Sequence, residues 1–114
     1  MRHLKKKKVG KGAQHRRKLL KSLASSVILY EKIETSFANA RAARSFVEKL
    51  ITRSKIDTLH NRRLLLSQLT RNAAKKAIEV LGPKYKARNG GYTRLTKLNH
   101  PAAGASKVVL ELVD

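Results

Sequence analysis

Apolar residues recur along this chain with two different periods, and the change from one to the other divides it. Leu19, Leu20, Leu23, Val27 and Tyr30 follow helical spacing with Arg16, Arg17, Lys18 and Lys21 interleaved, so charged and apolar groups occupy opposite sides of one amphipathic helix. Lys32-Ile33-Glu34-Thr35-Ser36 is short, holds β-branched residues and separates two helical patterns, which predicts a brief strand. Ser36 then caps a helix reaching about Lys55, with Ala43, Val47, Leu50 and Ser54 on one face beside Phe46 and Ile51. Arg41, Arg44, Lys49 and Arg53 fall mainly elsewhere on it. A third helix starts after Asp57 or Thr58, either a suitable cap, and includes Leu59, Arg63, Leu66 and Leu69. A fourth is expected from a cap at Asn72, with Ala74, Ala77, Ile78 and Leu81 at helical spacing. Gly82-Pro83 is expected to stop it, since glycine accepts the left-handed C-terminal position and proline cannot continue the hydrogen-bond ladder.

After that point the period is two. Lys84 to Gly91 reads as a basic loop, Tyr92 to Leu98 as a strand, and Asn99 to Ser106, with Pro and Gly, as a connection. Lys107 to Val113 alternates, with Val108, Leu110 and Leu112 on one face. The order α-β-α-α-α-β-β predicts an α+β fold with helices packed on one face of a small three-stranded sheet. Ahead of it, residues 1–11 hold only Leu4 and Val9 as sizeable apolar groups, so a basic arm is expected, disordered when free and extended along a bound polyanion.

Charge narrows the partner. The first thirty residues carry ten Lys or Arg and no carboxylate, and the whole chain has 27 Lys and Arg against 7 Asp and Glu, a net charge of +20 on 114 residues. Such a surface repels itself and attracts polyanions at long range, which points to nucleic acid. The length suits one domain, 1–114, with a mostly aliphatic core, because the aromatics are limited to Tyr30, Phe37, Phe46, Tyr85 and Tyr92. Absence of cysteine removes disulfides, thiolate metal sites and thiol catalysis. No apolar run approaches the roughly 20 residues of a membrane span, and no apolar signal-peptide core follows the basic start, so neither membrane nor export is expected.

Catalytic groups are scarce. Glu31 and Glu34 are neighbours in sequence, but an isolated acidic pair in a basic chain balances local charge more often than it serves as acid and base. His3, His15, His60 and His100 are widely spaced and have no cysteine to complete a zinc set, and Gly90-Gly91 lacks the spacing of a phosphate-cradling loop. No enzyme, metal, cofactor or small-molecule substrate is expected, and binding remains. Tyr85 and Tyr92, set among Lys84, Lys86, Arg88 and Arg94, carry rings that stack on unpaired bases or, more commonly, pack inside the protein. Arg62 and Arg63 project about 100° apart on a helix, so at least one reaches solvent or phosphate. Tyr92 and Arg94 share a face of a regular strand, so either both face the nucleic acid or the strand starts irregularly at Gly90-Gly91; an outward-facing pair is expected. A histone-like, DNA-architectural protein shares the charge and size, but the apolar wedges or dimer face of such proteins are not evident.

The residues themselves resemble the bacterial-type large-subunit ribosomal protein family numbered seventeen. Met1-Arg2-His3, His15-Arg16, Leu50-Ile51-Thr52 and Asn61-Arg62-Arg63-Leu64 are similar to its pattern. So, more specifically, are Leu81-Gly82-Pro83, Arg88, Gly90-Gly91-Tyr92-Thr93-Arg94 and Leu110-Glu111-Leu112. Leu4, where a basic residue is common, and 99–106, without the Arg and Gly-Asp pair often found there, depart from it. The resemblance implies helices against a three-stranded sheet and a structural role without catalysis. It implies partners in large-subunit ribosomal RNA and neighbouring large-subunit ribosomal proteins on the side where the nascent polypeptide emerges. It places the chain in the cytoplasm, in the large ribosomal subunit, with an organelle ribosome as the alternative. The expected RNA contacts are Arg2, His3, Lys5, Lys6, Lys7, Lys8 and Lys11 in the arm and His15, Arg16 and Arg17 at the first helix. They continue with Arg62 and Arg63, then Lys84, Lys86, Arg88, Tyr92 and Arg94.

Overall fold

The computed structural model describes residues 12–98 and 107–114, so the expected arm and the connection at 99–106 lie outside the described residues. Helix α1 (Gly12–Tyr30) buries Ala24, Ser25, Val27 and Ile28 and ends where Glu31 takes φ +67°. There the Glu31 N–H donates to Val27 O at 2.8 Å, closing the helix with a left-handed residue that is ordinarily glycine. Strand β1 (Lys32–Ser36) leads directly into α2 (Phe37–Ser54), whose first turn is capped by Ser36 Oγ accepting from Asn39 N at 3.2 Å. Helix α3 (Leu59–Gln68) is capped in the same way by Thr58, at 3.2 Å from Asn61 N.

Two sequence expectations fail in the next element. Helix α4 (Arg71–Lys76) starts after Thr70, not at Asn72. Leu69 and Thr70 are both extended, and the Thr70 N–H donates to the buried Ser25 Oγ at 3.0 Å, which pins the break to α1 and leaves Asn72 exposed in the first turn. Nor does Gly82-Pro83 stop the helix. The chain continues through a π-helical turn (Ala77–Leu81) into α5 (Gly82–Lys84), and Gly82 is right-handed at φ −55°. Glycine is needed there for proximity, because a Cβ would stand 2.5 Å from the Ser54 carbonyl oxygen. Pro83 falls in the first turn of α5, where a missing N–H costs nothing. The wide turn also sets the phase. Ala73, Ala77, Leu81 and Tyr85 are all buried, yet steps of four drift by about 40° each on an α-helix, and a turn advancing less per residue keeps Tyr85 on the core face.

The sheet has the order β1-β3-β2, with β2 (Thr93–Lys97) and β1 both antiparallel to the central β3 (Lys107–Leu112). Ile33 and Leu95 flank Leu110 in register, and Arg94 and Lys32 flank Glu111 on the opposite face. Val108, Leu110 and Leu112 are buried beneath the helices, where α1 and α2 pack on β3. The core adds Ala40, Ala43, Val47, Leu50 and Ile51 from α2. From α3 and its cap come Leu65 and Leu69, while Leu59 and Leu66 are 64% and 51% exposed. The predicted order and α+β architecture are those observed.

Candidate nucleic-acid interface

Four of the seven acids in this protein are committed to its own structure. Asp57 takes a two-pronged contact from Arg62 (Oδ1–Nε 2.5 Å, Oδ2–Nη2 2.8 Å), Glu31 pairs with Lys76 at 2.9 Å, and Glu111 pairs with Arg94 at 3.0 Å. The Arg62 hydrogen bonds, with its charge, hold the Asp57 carboxyl below the usual range, and the Lys76 hydrogen bond does the same for Glu31. Glu48 uses its carboxylate on backbone and hydroxyl: Gly91 N at 3.1 Å, Thr93 N at 2.9 Å and Thr93 Oγ1 at 2.7 Å. Six of the 27 Lys and Arg lie outside the described residues, and among the rest three are in ion pairs. The remainder is a large positive surplus.

That surplus is spread over several elements. His15 and Arg17 are exposed on α1, and Arg16 is half-buried, with Nη1 enclosed and lacking a partner among the described residues. Arg62 and Arg63 are both exposed on α3, but Arg62 is engaged by Asp57. Lys84, Lys86 and Arg88 are exposed around the turn after α5, with Lys84 Nζ 5.1 Å from the Tyr85 ring centroid. Arg94 is exposed on the outer face of β2. Arg2, His3, Lys5, Lys6, Lys7, Lys8 and Lys11 lie outside the described residues. Among the described residues the expected contacts are therefore carried by several elements: α1, α3, and the turn before β2 with β2 itself.

The expectation of an RNA-facing Tyr92 is corrected. Its ring is 1% exposed, stacked obliquely on buried Tyr85 at 5.1 Å between centroids, so neither tyrosine offers a free face to a base. Gly90 and Gly91 adopt φ +97° and +64°, Tyr92 precedes the strand, and Thr93 and Leu95 take the inward positions. The irregular start is what lets Tyr92 turn inward while Arg94 faces out. Tyr92 Oη receives Lys55 Nζ at 2.6 Å and Thr52 Oγ1 at 3.2 Å, and Lys55 Nζ also donates to Arg88 O at 2.5 Å. Burial alone would raise the Tyr92 phenol, but hydrogen bonds from Lys55 and Thr52 and the Lys55 charge outweigh it and lower it. Tyr85, whose Oη donates to Val113 O, is pushed up by burial.

Glu48, Thr52 and Lys55 thus fix the turn that carries Arg88 and Arg94, and sequence reasoning missed all three. The signal for Glu48 was present: it is the single acid on α2, among Arg41, Arg44, Lys49 and Arg53. Among the described residues no group of three or more His, Cys, Asp or Glu is placed to hold a metal, and no helix is long and apolar enough to cross a membrane.

Fold and surface together define a class: small, basic α+β proteins in which a few carboxylates brace the fold and most cations face outward. The chain belongs to the family described as Ribosomal protein L17, whose model matches residues 19–113. It is 42% identical over 118 aligned positions to the large ribosomal subunit protein bL17 of Sulfurihydrogenibium sp. (strain YO3AOP1), covering 100% of this chain and 98% of that one. It is 45% identical to the protein of the same name from Hydrogenobaculum sp. (strain Y04AAS1), with 100% of both covered. Against that of Clostridium acetobutylicum the identity is 42%, over 94% of this chain and 96% of the relative.

Proposed function

We propose that this protein is a structural constituent of the large ribosomal subunit, in the cytoplasm. It binds ribosomal RNA and helps hold the RNA's folded domains together near the nascent-chain exit side, beside other large-subunit proteins. The observation that carries the reading is the family match across residues 19–113, and the cationic surplus supports it physically. Phosphates neutralised by lysine and arginine release counterions, which supplies affinity with little sequence information. The cations presented by α1, α3 and the turn before β2 suit several RNA segments at once. Arg2 to Lys11, His15 to Arg17, Arg63, Lys84, Lys86, Arg88 and Arg94 are the proposed contacts. Arg62 contributes after exchange from Asp57, and Tyr92 acts only by shaping the turn. The DNA-architectural alternative has no support in the family match.

Sedimentation of a cell lysate through a sucrose gradient, with the protein followed by mass spectrometry, is the test. It should travel with large subunits, and recovery only with DNA or in the soluble pool would overturn the reading. Arg94→Ala, which removes an exposed ion pair, should leave the thermal melt within about 0.5 kcal/mol of wild type and reduce incorporation into subunits.

A further inference from the structure

Between α1, α2 and α3 lies a trough of about 230 Å³. Its floor is apolar, from Leu20 and Phe46, and Arg17, Lys18 and Lys21 stand along the α1 side. The end of α3 closes the far side with Ser67 and Gln68. We infer that this trough seats an unpaired nucleotide of RNA, its base against Phe46 and its flanking phosphates on Arg17, Lys18 and Lys21. The inference rests on the RNA-binding reading above and assigns it one specific pocket.

Three features select this occupant. The space is that of about seven or eight waters, enough for one planar base and too little for a stacked pair. A half-buried aromatic ring and a primary amide are the groups that stack on a base and read its edge, Gln68 offering both a donor and an acceptor. Charge decides the rest. Neither α1 nor α3 contains a carboxylate, and the one acid of α2, Glu48, is bound to Gly91 and Thr93. An apolar protein side chain in the trough would leave three cations uncompensated, whereas a nucleotide supplies ring and phosphate together. The larger hollow of about 530 Å³ next to α2 offers no aromatic ring to stack on.

The full chain is titrated with a short single-stranded RNA and with a blunt duplex of equal length, at several salt concentrations. Phe46→Leu keeps the apolar volume and removes the stacking face. It should weaken single-strand binding about thirtyfold, the mid-range for one stacked base, with duplex binding and salt slope unchanged. Lys18→Gln with Lys21→Gln should flatten the salt slope for both RNAs. Because Phe46 also touches the core, Gln68→Ala and backbone amide shifts of the wild-type protein provide independent readouts. Shifts at Leu20, Phe46 and Gln68 on adding single strand support the assignment. Salt-dependent binding without those shifts, or an equal loss on both RNAs in Phe46→Leu, overturns the trough and leaves RNA binding intact. Absence of salt-dependent binding to either RNA overturns the underlying reading as well. A photoreactive residue at position 68 that crosslinks to a protein, not to RNA, in purified subunits also overturns it.

Discussion

At Gly90 and Gly91 the backbone takes φ values of +97° and +64°, and at Glu31 it takes +67°, yet the two turns are secured in opposite ways. In the first, glycine removes the steric cost and the carboxylate comes from a distant helix, Glu48 reaching Gly91 and Thr93. In the second, the left-handed residue is the carboxylate itself, fastened by Lys76, which also caps Leu29 O at 3.1 Å. A carboxylate facing the N–H and hydroxyl of buried Thr93 is poorly replaced when lost, because little water reaches them. One standing half-exposed beside a lysine that also holds the Leu29 carbonyl loses less, because water and that carbonyl remain as partners. The comparison teaches that position, more than charge, decides what an acid is worth in a basic chain.

Breaking the first turn should therefore cost most. Glu48→Ala removes the acceptor for three hydrogen bonds while keeping a good helix former, and the expected loss is about 2 kcal/mol, on the order of 10 °C in Tm. A melt within 2 °C or so of wild type would refute the bracing role. Gly91→Ala comes next. A Cβ there meets nothing within 4 Å, so the cost is purely conformational. It amounts to about 1–2 kcal/mol for the left-handed backbone, reduced by the lower entropy of the unfolded alanine chain, and chemical denaturation should show a net loss near 1 kcal/mol. Glu31→Gly inverts that exchange: relief of φ strain offsets both the lost exposed pair and the added chain entropy, leaving stability within about 0.5 kcal/mol. A clear destabilisation would mean that the Lys76 contact matters more than its exposure suggests.

The smallest effect is acid sensitivity. Glu31 and Asp57 both titrate below their ordinary values when folded, so the native state binds fewer protons. Their contribution is complete above the unfolded values and is lost as pH falls through the folded ones, so stability declines on acidification below about pH 4. Melting wild type and Glu31→Gln between about pH 6 and pH 3 should show a slightly shallower decline in the variant. A steeper one contradicts the sign.

What the sequence disclosed follows from the range of the forces involved. Periodicity and caps are local, and they located β1, the cap at Ser36 and the inward face of Val108, Leu110 and Leu112 correctly, and narrowed the next cap to Asp57 or Thr58, of which Thr58 serves. Gly82-Pro83 has the local form of a stop, but Gly82 is there because Ser54 lies against it, a contact 28 residues away in sequence that no local pattern encodes. Tyr92 follows the same logic. Flanking cations suggested a surface role, whereas Lys55 and Thr52 from α2 hold its hydroxyl and draw the ring inward. The trough was invisible for the same reason, since Leu20, Phe46 and Gln68 meet only after three helices pack. The basic character of the surface, a property of composition, was legible from the start.

The strand order carries a consequence for how the molecule is made. β3 is central, so β1 and β2 have no strand to pair with until residues 107–112 exist. Chains emerge from synthesis N-terminus first at about 5–20 residues per second, so β1 waits on the order of several seconds for its partner. Pairings across such sequence separations also form slowly. All four helical stretches are by then complete, together with the cations they display. A chain interrupted before residue 107 should therefore show helical circular dichroism without the cooperative melt of the whole, and a full cooperative transition in that fragment would contradict the ordering. Closure of the sheet is the event that commits this protein to its shape, and it comes after the surface that attracts polyanions has been made.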